Sequence, residues 1–259
     1  MKIKDITAKI EAFAPLALQE SYDNAGLIVG RYDDQLQGGV LLAVDVTDEV
    51  IDEALEKGCG MIITHHPLIF SGLKKISPDD LVGAAVIKAV KHGISVYAAH
   101  TSADKVIAGV SGAMAARLGL EDVAILDEDG DGTGLGVVGN LPQPMTSAEA
   151  VEFVKERFSL KAMRTSRPVE CMISRVAMCG GSGGSLIGAA KAAGAQLYIS
   201  GDISYHTFFT QDGFMIMDIG HYESEIEIVD ILFSLLRKKF PTFAVRITQN
   251  LYSNPIFYF

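Results

Sequence analysis

Residues 40–66, VLLAVDVTDEVIDEALEKGCGMIITHH, decide the fold. Val40–Val46 is a near-continuous apolar run, the pattern of a parallel strand covered on both faces. Thr47 is placed to N-cap a helix over DEVIDEALEK, and Gly58 to end it. Met61–Thr64 is the next strand, and His65, His66 and Pro67 follow it directly. Strand, helix and strand joined by short connections predict a parallel or mostly parallel layered α/β sheet.

The alternation continues on both sides. Ile3, Ile6, Ile10 and Phe13 have helical spacing, so the chain opens with a helix that stops before Pro15. GLIVG (26–30) is a short β run. A helix over 79–92, a strand ISVYAA (94–99) and a helix over 105–119 complete the first half. Residues 121–134 are acidic and Gly-rich and are read as the boundary. They give a first α/β subdomain at 1–125 and a second at 126–259, with a C-terminal strand that could return to the first. Asp127, Asp129, Asp131 and Gly132 begin like a calcium loop, but Val138 stands where a bidentate Glu is needed, so this is read as a solvated turn.

The second half repeats the plan. Strand GLGVVGNL (134–141) precedes a helix starting near Thr146. Then come strand RVAMC (175–179), a glycine loop, a helix through Lys191, strands LYIS (197–200) and FMIMDI (214–219), and a long helix over 222–238. FAVRITQN is a further β run before the apolar tail Asn254–Phe259. Residues 41–66 align with 177–202, pairing Gly58 with Gly194 and Ile63 with Ile199. Residues 94–104 align with 215–225 without a gap, pairing His100 with His221 and Asp104 with Glu225. Both copies read strand, then His-x-x-x-acid.

Composition bounds the function. With 49% apolar and 21% charged residues and a mean hydropathy of +0.27, the chain can bury a core large enough to offset its entropy. It has no apolar run long enough for a membrane span, and MKIKDITAKIEAF lacks the apolar core of a signal peptide. Cys59, Cys171 and Cys179 have no metal-type spacing and read as reduced core residues of a cytoplasmic protein. The net charge is −10, and no basic cluster goes beyond short pairs such as Lys74-Lys75, which argues against a nucleic-acid partner. A nucleotide substrate would need a bound metal or local cations. Trp is absent.

Six histidines are present: His65, His66, His92, His100, His206 and His221. His92 ends a helix and reads as a C-terminal cap. His65, His66, His100 and His221 come at or just after apolar strands, whose C-terminal ends line the ligand crevice of an open α/β sheet. With Asp104 and Glu225 they form a nitrogen and oxygen donor set suited to zinc, iron or manganese, rich enough for two ions. Pro67 biases His66 away from helical geometry.

A rival constellation is Gly180-Gly181-Ser182-Gly183-Gly184, which satisfies G-x-S-x-G between a strand and a helix. Asp202 or Asp218 and His206 or His221 follow in nucleophile-elbow order. A run with four glycines meets that pattern cheaply. Close backbone approach or an anion-facing ring of N–H groups are the competing readings. Leu186 at the third glycine position breaks the dinucleotide fingerprint.

Taken together, Ser-Tyr-Asp-Asn-Ala-Gly-Leu (21–27), Thr-His-His-Pro-Leu (64–68), His-Thr-Ser-Ala-Asp (100–104), Gly-Gly-Ser-Gly-Gly (180–184), Gly-Asp-Ile-Ser-Tyr-His (201–206) and Gly-His-Tyr-Glu-Ser-Glu (220–225) run in one order across nearly the whole chain. This set resembles the GTP cyclohydrolase 1 type 2 homologue family, also called Ngg-interacting-factor-3-like proteins. The resemblance implies two related three-layer α/β subdomains with a dinuclear metal centre in the cleft between them. Carried over, the ligands are His65, His66, Asp104, His221 and Glu225, with Glu225 bridging. The resemblance also implies a homohexamer. Longer members carry an inserted domain that this chain is too short to hold. Two departures are Tyr22, where the family often has Trp, and His-Thr-Ser-Ala-Asp in place of His-Thr-Asn-Leu-Asp.

The expectation is therefore a metal-dependent hydrolase holding two divalent ions. The resemblance implies a purine nucleotide such as GTP as substrate, with water attacking C8 and formate released. His100 is assigned to proton transfer, and Asp202 or His206 to fixing the substrate or the ligand geometry. A non-catalytic metal-binding regulatory ring protein and a dinuclear phosphoesterase are the alternatives.

Overall fold

The computed structural model describes residues 1–211, 213–250 and 254–258. In chain order its strands are β1 (Gly26–Val29), β2 (Gly39–Ala43), β3 (Cys59–Thr64), β4 (Ser95–Ala98), β5 (Glu121–Glu128), β6 (Gly134–Met145), β7 (Arg164–Thr165), β8 (Ile173–Met178), β9 (Leu197–Ser200), β10 (Met215–Asp218) and β11 (Val245–Ile247). Its α-helices are α1 (Ile3–Phe13), α2 (Asp48–Glu56), α3 (Leu81–Lys91), α4 (Thr101–Asp104), α5 (Val110–Leu118), α6 (Ser147–Phe158), α7 (Ile187–Ala192), α8 (His221–Glu225) and α9 (Glu227–Lys239). None of the helices is long and apolar enough to cross a membrane among the described residues.

The chain divides into two compact α/β units. One comprises Met1–Ala103 with Ile228–Phe257; the other comprises Asp104–Glu227 with the end of the chain. The first holds a sheet of order β1-β4-β3-β2-β11, parallel except for β1, which runs antiparallel to β4. Every residue of β2 is buried, as its unbroken apolar run predicts. Leu41, Ile62 and Val96 pack with Val50, Ile51 and Ala54 of α2 and Ala85, Val86 and Ala89 of α3. On the alternate positions, the Tyr97 hydroxyl donates to Glu11 of α1, so a helix covers each face. The Thr47 hydroxyl caps α2 by accepting from the Val50 N–H at 3.2 Å.

The second unit holds a sheet of order β5-β6-β8-β9-β10-β7, and here the expectation of a mostly parallel sheet fails: β8, β9 and β10 pair in parallel, but β5-β6, β6-β8 and β10-β7 are antiparallel. Val176, Met178, Leu197, Ile199 and Met217 turn one face toward α5 and α6; Ala177, Tyr198 and Ile216 turn the other toward α7. This is a three-layer arrangement, with the period-two alternation of each strand feeding two cores. Thr146 and Glu149 form a capping box at the start of α6.

The internal repeat is visible in the ladders. Val40, Leu41 and Leu42 pair with Met61, Ile62 and Ile63; Val176, Ala177 and Met178 pair with Leu197, Tyr198 and Ile199 in the same register. The ungapped second alignment needs correcting. Ile63 pairs with Tyr97, whereas Ile199 pairs with Met217, so the strands correspond at an offset of 120, one less than the histidines after them. The second copy carries one more residue between strand and His221. Gly220 lies in that turn with φ +96°, where a Cβ would meet the Glu223 carboxylate.

Three other expectations also need correction. The acidic run 121–134 does not separate the halves. It forms β5, an edge strand paired antiparallel to β6, and the turn between them. Its exposed, charged edge is how a sheet margin avoids further pairing, and that composition mimics a linker. The helix expected over 105–119 begins at Val110, after α4 has ended at Asp104. The helix expected over 222–238 is α8 and α9, broken at Ile226. The FAVRITQN run does form β11, which joins the first sheet beside β2. In the tail, Asn254–Tyr258 form no strand, and Phe259 lies outside the described residues.

Candidate metal centre

The first unit places three imidazoles together. The turn after β3 is pinned by its neighbours: the His66 N–H donates to Val44 O at 3.0 Å and the Ala99 N–H to Thr64 O at 2.9 Å. The Thr64 hydroxyl donates to His66 O at 2.7 Å. His65 is buried, and the rings of His65, His66 and His100 lie 5.0 to 5.5 Å apart. One ligand atom from each falls within 4.8 Å of the others.

In each ring the Nδ1 atom is engaged by an oxygen. His65 Nδ1 stands 3.1 Å from Ala99 O. A carbonyl only accepts, so this nitrogen carries the proton and the lone pair sits on Nε2. His66 Nδ1 donates to Asp45 at 2.8 Å, and His100 Nδ1 to Asp23 at 2.7 Å. Carbonyl–imidazole and carboxylate–imidazole pairs of this kind fix the tautomer and make the second nitrogen a better ligand. Burial works against the Asp23 carboxylate, yet hydrogen bonds from His100 and Thr101 hold it down at about 2, so it stays ionised.

The second unit repeats the device. His221 Nδ1 donates to Asp202 at 2.7 Å, and His221 Nε2 stands 3.2 Å from Glu225 one turn along α8. Glu225 is buried. Asp104, at the end of α4, shares this neighbourhood. Burial, joined by the carboxylates of Asp104 and Glu225, pushes the Cys179 thiol up to about 12.

The glycine loop supports this cluster by closeness. A Cβ on Gly181 (φ +61°) would lie 2.2 Å from Glu225 Oε1, and one on Gly201 2.8 Å from the His221 backbone. No side chain fits either place. The loop is not an anion nest. The N–H groups of Gly180, Gly181 and Gly183 already donate to the hydroxyls of Ser111, Ser224 and Ser200. Nor is it a nucleophile elbow. Ser182 donates to Asp202 at 3.1 Å, and the same carboxylate oxygen accepts from His221. A serine nucleophile needs the imidazole between it and the acid; here the acid lies between.

The structure thus brings His65, His66 and His100 into one cluster and sets His221, Glu225 and Asp104 around the glycine loop of the other unit. Asp202 orients His221. His206 lies apart, in the exposed turn Tyr205–Phe208, between the rings of Tyr205 and Phe209. Asp23 and Asp45, which orient two of the imidazoles, have no role in the sequence reading. Asp23 was within reach as the acid of the quoted 21–27 motif; nothing in the sequence marks Asp45. Imidazole nitrogens and carboxylate oxygens are the donors of a zinc, iron or manganese site, so the residues present fit such ions.

Fold and donor set define a two-unit α/β protein with paired histidine–carboxylate clusters. The family model for Duf34/NIF3 (NGG1p interacting factor 3) matches residues 1–255, and the chain belongs to that family. It is 37% identical over 230 residues to a Clostridium acetobutylicum protein called GTP cyclohydrolase 1 type 2 homolog, covering 87% of this chain and 85% of that one. It is 30% identical over 230 residues to a Schizosaccharomyces pombe NIF3 homolog, covering 83% and 82%. Among solved structures, a Staphylococcus aureus hypothetical protein superposes with a TM-score of 0.92 at 26% identity, covering 100% of this chain and 99% of the other.

Proposed function

We propose that the chain is a hydrolase dependent on two divalent ions, which His65, His66, Asp104, His221 and Glu225 would hold. The observation that carries this reading is the tautomer control at His65, His66 and His221: each Nδ1 is bound by an oxygen, which makes Nε2 the ligating nitrogen. Zinc, iron and manganese all suit these donors. Bound divalent ions supply Lewis acidity and a water activated at neutral pH.

The chain's own residues do the rest. Asp23 holds His100 with Nε2 able to accept a proton from the attacking water and return it to a departing nitrogen. Asp202 fixes the His221 ring and takes the Ser182 hydroxyl, so Ser182 supplies no nucleophile. The name of the Clostridium acetobutylicum relative supports a purine nucleotide such as GTP as substrate. Water would add at C8, the imidazole ring would open, and a second water would release formate. Three free cysteines fit a reducing cytoplasm, although only Cys59 and Cys179 are the core residues expected of them; Cys171 is exposed.

The test is turnover. Metal-reconstituted protein is expected to release formate from GTP and to leave a bis-phosphodiester intact. Cleavage of the diester alone makes it a phosphoesterase. Full metal loading with no turnover on either makes it a regulatory metal-binding protein.

We further propose a homohexamer. Ile256 and Phe257 are each 56% exposed, and Leu81 at the start of α3 is 90% exposed, apolar surface that a second copy would cover. Light scattering is expected to give about six chain masses, as the family resemblance implies; the single-chain mass of 27.7 kDa would overturn the assembly.

A further inference from the structure

Two aromatic rings stand beside the imidazole cluster of the first unit with much of their surface in water. Tyr22 is 62% exposed and Phe70 51% exposed. Their centroids are 6.4 Å apart, with planes tilted by 54°. Phe70 in turn meets His100 edge-on, at 6.0 Å and 85°. The rings therefore form a short wall that ends at the imidazoles.

The wall is built in place. Asp23, next to Tyr22, accepts from the Thr101 N–H at 3.1 Å as well as from His100. The Asn24 side chain donates to Ile69 O at 2.6 Å, tying the segment that carries Tyr22 to the one that carries Phe70. The Ala25 N–H donates to Gln19 at 3.0 Å, and the Glu20 N–H to Thr101 at 2.9 Å, closing the segment on both sides. Exposed aromatic faces are costly to hold in water, and flat π-surfaces pair best with other flat π-surfaces. At its end, His100, its Nδ1 held by Asp23, presents Nε2 as an acceptor to the edge of a heterocycle.

We propose that Tyr22 and Phe70 bind the planar heteroaromatic ring of the substrate by stacking and aim its edge at His100. The inference rests on the hydrolase reading only in calling that ring substrate; the wall itself would bind such a ring in protein without metal. It makes Tyr22 and Phe70 the residues that select a flat ring over a sugar, an aliphatic acid or a bare phosphoester.

The chain has no tryptophan, so Tyr22→Trp installs a single fluorophore in the wall. Metal-free Tyr22→Trp protein is titrated with guanosine, adenosine, cytidine and nicotinamide, and with ribose 5-phosphate as the ring-free control. The expected result is saturable quenching by at least one of the ring compounds and none by ribose 5-phosphate. Phe70→Leu, which keeps apolar bulk but removes the flat face, should weaken that binding about tenfold or more, and Phe70→Tyr should restore it. Absence of quenching by all four ring compounds, or equal binding by the Phe70→Leu protein, overturns the proposal. The two readings fail separately. Ring binding without turnover sinks the hydrolase and keeps the wall. Turnover whose KM ignores Phe70→Leu sinks the wall and keeps the hydrolase.

Discussion

Asp104→Asn is expected to abolish turnover by the metal-loaded protein, and Ser182→Ala to leave it within about tenfold of the parent. The asymmetry follows from what each group does. Asp104 ends α4 close enough to buried Cys179 that its carboxylate, like that of Glu225, raises the thiol. In the proposed site Asn removes a negative charge from the ions and leaves a weaker amide donor. Ser182 donates one hydrogen bond to Asp202, which keeps its bond from His221 when the hydroxyl is gone. Removing a true nucleophile would cost several orders of magnitude. Steady-state assays of both variants, with and without chelator, decide the matter. Chelator-resistant turnover that dies with Ser182→Ala would establish a serine hydrolase instead.

Asp45→Ala is expected to weaken metal binding by roughly 10- to 100-fold without unfolding the protein. Asp45 lies at the end of the β2 run with its side chain 37% exposed, and its carboxylate fixes His66. Alanine frees the ring to rotate and lose its tautomer preference. Asp45→Asn keeps an amide oxygen that still accepts from Nδ1, so its loss should be the smaller. Competition against a chromogenic chelator measures both variants. Equal, unweakened affinities would show that His66 needs no such orientation or ligates nothing.

The β-α-β frame was legible because buried parallel strands are written as short apolar runs and their helices carry local signals, such as Thr47 and the Thr146–Glu149 pair. The histidines were legible because strand ends are where an α/β sheet presents chemistry. Asp23 and Asp45 were not legible as imidazole partners, since they meet His100 and His66 across 77 and 21 residues of chain. The β5 strand was missed because an edge strand needs few apolar residues, and EDVAILDE looks like a linker by charge alone. The glycine loop defeated local reading for another reason. Its pattern meets a nucleophile elbow cheaply and fits an anion nest and a tight approach about equally well. The serine partners of its N–H groups, the place of Asp202 between Ser182 and His221, and the 2.2 Å between a Gly181 Cβ and Glu225 together separate the last from the others.

Metal content tests the central claim most directly. Protein purified without chelator should carry about two divalent ions per chain by elemental analysis, since five ligands exceed what a single tetrahedral ion takes. His65→Ala combined with Glu225→Ala should lose most of that metal while its circular dichroism spectrum stays that of the parent. A folded double variant that keeps the parent's full metal content would contradict the assignment of these residues as ligands.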